Sequence, residues 1–150
     1  MGVTIRALEP ADQAAWQELY EGYQAFYGHD ARPQAFYDAA FARLVSGDAR
    51  DFHALVAQSA EGALVGLVHY VFHPSLWRED GVCYLQDLFA APEQRGTGIG
   101  RALIEAVYAE ADRAGSPAVY WLTAEDNHAG RRLYDRVGVK TPFIRYNRPA

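Results

Sequence analysis

From Val3 to Leu8 apolar and polar side chains alternate, the two-residue period of a strand with one buried face, and Glu9-Pro10 then supplies a helix start. From Ala11 to Tyr27 the period becomes helical. Trp16, Tyr20, Tyr23 and Phe26 or Tyr27 recur three or four residues apart, and Gly28 follows as a stop. Pro33 opens a second helical pattern whose apolar stripe is Phe36, Tyr37, Ala40, Phe41 and Leu44, with Gly47 beyond it. Phe52 to Gln58 and Ala63 to Phe72 are strand-like runs joined by Ser59-Ala60-Glu61-Gly62, which predicts an antiparallel hairpin closed at its far end by Pro74. Val82 to Ala90 is a third long strand, apolar except for the adjacent pair Gln86 and Asp87, and it runs into a glycine-rich break after Pro92. Beyond the break Ile99, Ala102, Leu103, Ala106 and Val107 mark one buried helical face, ending at Gly115. Ala118 to Leu122 reads as a short central strand, Asn127 to Val137 as a helix, and Phe143 to Tyr146 as a last strand. The order β-α-α-β-β-β-α-β-α-β is an α/β arrangement in which antiparallel hairpins precede a βαβ unit, unlike a doubly wound fold.

Composition narrows the classes that this pattern leaves open. The 150 residues make one domain spanning 1–150, and 50% hydrophobic with 22% charged residues is an ordinary folded profile. A net charge of −5 argues against a general nucleic-acid binder. No apolar run reaches the ~18–20 residues of a membrane span, and the start has no signal-peptide pattern, so a cytoplasmic protein without membrane partners is expected. The single cysteine, Cys83, can form neither an internal disulfide nor a cysteine zinc cluster and is expected to be a small buried hydrophobe, and His69 and His73, ~13 Å apart along a strand, cannot share a metal. No metal site is expected. All of the net charge lies in residues 1–75, whereas residues 76–150 are balanced and arginine-rich, Lys140 being the one lysine of the chain. Arginine grips phosphate oxygens with a planar fork, so the second half is where an anion site is sought.

Arg95-Gly96-Thr97-Gly98-Ile99-Gly100, followed by Arg101, sits between a predicted strand and a predicted helix. Backbone N–H groups and the positive end of the helix dipole converge there, and the absence of Cβ atoms lets a phosphate approach the amides. A Walker A loop would require a lysine that is absent, and a dinucleotide fingerprint would require glycine where Arg101 stands.

This loop, with Tyr84-Leu85-Gln86-Asp87-Leu88-Phe89 before it and Glu125-Asp126-Asn127, Leu133-Tyr134 and Gly138 after it, resembles the GCN5-related N-acetyltransferases, nearest in motif to the polyamine- and histone-type amine acetyltransferases. The resemblance implies the fold of that family: a mixed, mostly antiparallel sheet with a central splayed parallel strand pair and flanking helices. It implies acetyl-coenzyme A as cosubstrate, its pyrophosphate on Arg95, Gly96, Thr97, Gly98, Ile99, Gly100 and Arg101. The pantetheine arm is then expected between Leu88, Phe89 and Ala90 on one side and the neighbourhood of Trp121 and Leu122 on the other, as a ligand adding itself to a strand edge. Asn127 is similar to the residue that bonds this arm, its alternative being a plain helix cap. Tyr134 is similar to the general acid that protonates the departing thiolate.

The amine side is less determined. Where polyamine enzymes of the family carry a Glu-Asp pair, this chain has Gln86-Asp87, and Gln86 cannot accept a proton. Asp87 is the expected base or ammonium anchor, with Gln86 and Tyr84 on the acceptor surface. The acidic N-terminal half and its tyrosine-rich helices suit a cationic acceptor, a small amine or a protein amine. Direct transfer in a ternary complex is expected, a non-catalytic module sensing coenzyme A or another phosphorylated ligand being the alternative. Family members often pair through strands near the C-terminus, which implies a homodimer.

Overall fold

A computed structural model describes residues 2–150. Its sheet has five strands in chain order: β1 (Val3–Ala7), β2 (His53–Ser59), β3 (Leu64–His73), β4 (Val82–Ala90) and β5 (Val119–Tyr120). The first three pairings are antiparallel and the β4–β5 pairing is parallel, which is the mixed sheet expected from the sequence. Helices α1 (Gln13–Phe26) and α2 (Gln34–Leu44) cover one face; α3 (Ile99–Arg113) and α4 (His128–Val137) cover the other.

Alternation in the strands sorts side chains between these layers. Ala54 and Val56 of β2 pack with Trp16, Leu19, Tyr37 and Phe41, while Leu55 and Ala57 pack with Leu103, Ile104 and Val107 of α3. Gly66 lies where α3 presses closest on the sheet. A Cβ there would stand 2.8 Å from Ile99 Cγ2 and 3.1 Å from Leu103 Cδ1, so the close seating of the helix depends on this glycine.

The β3–β4 ladder carries an irregularity that places the site. His69 opposes Asp87 but Tyr70 opposes Leu85, so Gln86 is the extra residue of a β-bulge. The bulge exchanges the faces of β4. Cys83 and Leu85 before it point into the α3 layer, whereas Phe89 after it joins the α1–α2 layer and Asp87 turns toward Trp16 and His69 on that side. Unbroken alternation would have set Tyr84 and Asp87 on opposite faces; the bulge puts them on the same one.

The parallel pair separates almost at once. Only Cys83–Val119 and Tyr84–Tyr120 are in register, so β5 is two residues long instead of the predicted Ala118 to Leu122. The last predicted strand, Phe143 to Tyr146, is not formed. No pairing of this segment with the sheet is present among the described residues, although the outer edge of β5 is free, and Phe143, Ile144 and Tyr146 are exposed. Strand-like composition alone does not form a strand; the backbone groups must also meet an edge in register.

Candidate active site

The glycine loop enters α3 as its residues require. Gly96 and Gly98 have φ of +80° and +87°, and a Cβ on either would meet nothing within 4 Å, so conformation and not space selects glycine at both. The first amide of α3 bonded back along the chain is that of Ala102, to the Gly98 carbonyl at 3.0 Å, which leaves the preceding amides without helical partners. Arg101 lies on the exposed side with Glu105 3.4 Å away. Arg95 is held across the end of α1, its guanidinium 4.8 Å from the Phe26 ring centre and 5.3 Å from that of Phe89, with Nε donating to the Ala90 carbonyl at 3.4 Å. Thr97 donates its hydroxyl to the Gln94 carbonyl and so closes the loop on itself. Open amides, two flanking arginines and no intruding Cβ fit an anion such as a pyrophosphate.

Beyond Tyr84 one edge of β4 has no strand partner, and a narrow cavity of about 20 Å³ opens in the gap. Leu85, Gln86 and Leu88 line it from β4, Trp121 and Leu122 from the chain after β5, Tyr23 and Tyr27 from the region of α1, and Tyr134 from α4. Leu88, Trp121, Leu122 and Tyr134, expected from the sequence to flank the pantetheine arm and the thioester, therefore face one opening. Phe89 does not face it: its side chain is buried in the α1–α2 layer, so only its backbone is open to such a ligand. A larger groove of about 470 Å³ beside β1 and the end of α3, bordered by Arg6, His53 and Arg113, contains none of these residues.

Tyr134 packs edge-on against Trp121, with ring centres 5.6 Å apart, and its hydroxyl makes no hydrogen bond to another described residue. Burial, with the neighbouring Tyr27, pushes its pKa up to about 12, which keeps the phenol protonated near neutrality. Asn127 caps α4: Oδ1 accepts from the Gly130 amide at 3.2 Å and Nδ2 donates to Thr123 Oγ1 at 3.0 Å. Both ends of this amide are engaged within the chain, the geometry of a cap.

Asp87 is buried, and its partner is one the sequence did not indicate. His69 Nδ1 lies 2.9 Å from Asp87 Oδ2, and the Trp16 indole donates to His69 Nε2 at 2.9 Å. Gln86 Nε2 donates to the same Oδ2 at 3.3 Å. Tyr23 faces the carboxylate, and burial together with that negative charge raises the pKa of its phenol far above the ordinary value. Tyr84, on the same sheet face, stacks on Tyr120 with ring centres 4.9 Å apart. Cys83 is buried, and burial pushes its thiol up to about 11, so it is an inert filler.

A sheet that splays beside a glycine-loop helix, with a protonated phenol in the gap and a buried carboxylate on the bulged strand, defines an acyl-transfer type of enzyme. The model of the acetyltransferase (GNAT) family matches residues 16–139, and the chain belongs to that family. It is 36% identical over 146 residues to the D-amino-acid N-acetyltransferase HPA3 of Saccharomyces cerevisiae, a match covering 97% of this chain and 90% of that one. Among solved structures, ribosomal-protein-alanine N-acetyltransferase from Brucella melitensis superposes with a TM-score of 0.83 at 23% identity, over 99% of this chain and all of that one. An aminoglycoside acetyltransferase, AAC(6')-Iy, in complex with a bisubstrate analogue of coenzyme A, has the same TM-score at 17% identity over the full length of both chains. The fold is therefore that of the family, and the chain is an acyltransferase.

Proposed function

We propose that this chain, as a single domain over residues 1–150, transfers the acetyl group of acetyl-coenzyme A directly to the primary amine of a small molecule. The observation that carries the reading is the single opening between β4 and the chain after β5, lined by Tyr134 on one side and by Tyr23 and Gln86, neighbours of Asp87, on the other. The amides at the start of α3, with Arg95 and Arg101, would hold the pyrophosphate, and the free edge of β4 from Leu88 to Ala90 would take the pantetheine arm. Asn127 supports this wall through its cap.

In the reaction the acceptor ammonium docks against Asp87 and loses one proton, to the carboxylate and then to solvent. The neutral amine attacks the thioester carbonyl carbon, a C–N bond forms, the C–S bond breaks, and the sulfur leaves with the Tyr134 proton; the acylated nitrogen releases its second proton to solvent, and solvent reprotonates Tyr134. The family relative in yeast is named for D-amino acids, and a small amino-acid-like amine is the acceptor class we favour over a protein. The steps assign no role to a metal. Thiol release from acetyl-coenzyme A measured across a panel of D- and L-amino acids, polyamines and peptides tests this. Saturable cofactor binding with no thiol release on any amine would reject the reading in favour of a sensing module.

The same reading extends to a cytoplasmic homodimer. The exposed apolar segment that carries Phe143, Ile144 and Tyr146 supports it, because a second copy could cover these side chains. Light scattering at micromolar concentration measures the mass directly, and a monomer would reject it.

A further inference from the structure

Three polar side chains are buried among the described residues, His69, Asp87 and Ser116, and the first two touch. His69 has no part in the steps above, yet its surroundings specify its chemistry closely. An indole N–H can only donate, so His69 Nε2, 2.9 Å from Trp16 Nε1, must accept and carries no hydrogen. The ring proton is then on Nδ1, which donates to Asp87 Oδ2 at 2.9 Å. The direction of this chain follows from the donor-only character of tryptophan and not from any assignment of hydrogens.

The ring is also immobilised. Tyr20 stands edge-on to it with centres 4.9 Å apart, and Trp16, wholly buried, packs against Tyr37 and Phe41. Adding a proton to Nε2 would set two N–H groups against each other and break the bond to the indole. The other titratable groups facing the pair are Tyr20 and Tyr23 of α1, Tyr27 just past it, Tyr37 of α2, and Arg32, which acts on Tyr20. Neither arginine nor lysine pairs with Asp87 among the described residues. The hydrogen bonds from His69 and Gln86 both fall on Oδ2, and the Tyr23 phenol also faces the carboxylate; Oδ1 accepts from neither His69 nor Gln86, and it is not among the fully enclosed unpartnered atoms, where Ser116 Oγ stands alone.

We propose that His69 is a positioning residue for the amine: pinned by Trp16 as the Nδ1–H form, it fixes Oδ2 of Asp87 and leaves Oδ1, its charge uncancelled by a cation, for the acceptor ammonium. This rests on the reading of Asp87 as the acceptor anchor. A protonated histidine in the same place would neutralise the carboxylate and remove its attraction for an ammonium. The role of Trp16 is to prevent that.

Three variants and one spectrum test the proposal. His69→Leu removes the donor, and His69→Asn keeps a short side-chain N–H directed at position 87. In steady-state assays at about pH 7, His69→Leu is expected to raise the KM of the amine about tenfold, the scale of one charge-assisted hydrogen bond, with kcat and the KM of acetyl-coenzyme A changed less than about threefold. His69→Asn should restore most of the amine KM. Two-bond ¹H–¹⁵N correlation of the unmodified protein, with the His69 signals identified by their loss in His69→Asn, should show the Nδ1–H tautomer. An Nε2–H or doubly protonated ring overturns the proposal, and this measurement stands even if the leucine variant does not fold. Unchanged amine KM in His69→Leu overturns it while leaving the acceptor reading intact, provided that Asp87→Asn raises the amine KM. Unchanged amine KM in Asp87→Asn overturns both.

Discussion

Replacing Tyr134 by Phe removes one hydroxyl from the wall of the β4–β5 opening and nothing else. That hydroxyl bonds to no described residue, so its loss forfeits no internal hydrogen bond, and the free energy of unfolding should stay within the small range of neutral substitutions, about ±0.5 kcal/mol. The catalytic effect follows from the proton inventory. With its pKa pushed up to about 12, the phenol is protonated throughout the assayable range, as an acid must be. A thiol of ordinary pKa ~8.5 lies about 3.5 units below it, so complete transfer to a free thiolate would be uphill by about 5 kcal/mol. Tyr134 therefore contributes while the C–S bond is breaking, by donating to sulfur as its charge grows, and general acids of this kind are worth about 10²–10⁴ in rate. We expect kcat for Tyr134→Phe to fall about 100-fold, near 2.7 kcal/mol, with the KM of acetyl-coenzyme A altered less than about threefold. The assay is thiol release under saturating amine, repeated from about pH 7 to pH 10. Because ionisation near 12 lies outside that range, wild type should show no alkaline decline due to this residue. A kcat within about threefold of wild type, or a wild-type alkaline limb below pH 10 that the substitution abolishes, would refute the assignment and the proton argument together.

Other consequences can be checked independently. Gly98→Ala forces a non-glycine residue to φ near +87° without any steric clash, so it should cost about 1 kcal/mol in thermal stability and weaken acetyl-coenzyme A binding, measured by calorimetry, with the amine KM unmoved. Gly66→Ala sets a methyl 2.8 Å from Ile99 Cγ2 and 3.2 Å from the Phe89 carbonyl; denaturant unfolding should show a loss of about 1–3 kcal/mol from overpacking. Arg6 grips both oxygens of Asp12 at 2.8 and 2.9 Å, and this holds the Asp12 carboxyl below its ordinary range. The stabilisation is present above the usual carboxylate pKa and is lost as pH falls through the lowered one. Asp12→Asn should thus unfold about 1 kcal/mol more easily at neutral pH, and its deficit should shrink as the pH of the melt drops below about 4.

The helices and strands were legible because each carries its own period, and the anion loop because three alternate glycines between a strand and a helix have few other uses. Tyr134 and Asp87 could be singled out by residue type and position along the chain. The partner of Asp87 could not. His69 and Asp87 are 18 residues apart, on strands joined by the irregular segment 74–81, and such a segment does not dictate the register in which its strands pair. The final strand failed for a related reason: Phe143 to Tyr146 has the composition of a strand, but pairing depends on an edge that no local pattern encodes.

The bulge at Gln86 shows how a local signal and a long-range one meet. Two adjacent polar residues in an otherwise apolar strand cannot both face solvent under strict alternation, since one of them must enter a layer of the core. The chain resolves the conflict by giving Gln86 no partner and leaving it exposed, which rotates Asp87 into the α1–α2 layer. A buried carboxylate there is tolerable only if it is hydrogen-bonded, and His69 directly across the ladder, itself bonded to Trp16, meets that requirement. The same departure from regular pairing turns Asp87 to the face that carries Tyr84 and separates it from the Cys83–Leu85 face packed on α3. The polar pair that interrupts β4 is thus one cause with two effects, an irregular sheet and a charged group held beside the gap where the strands part.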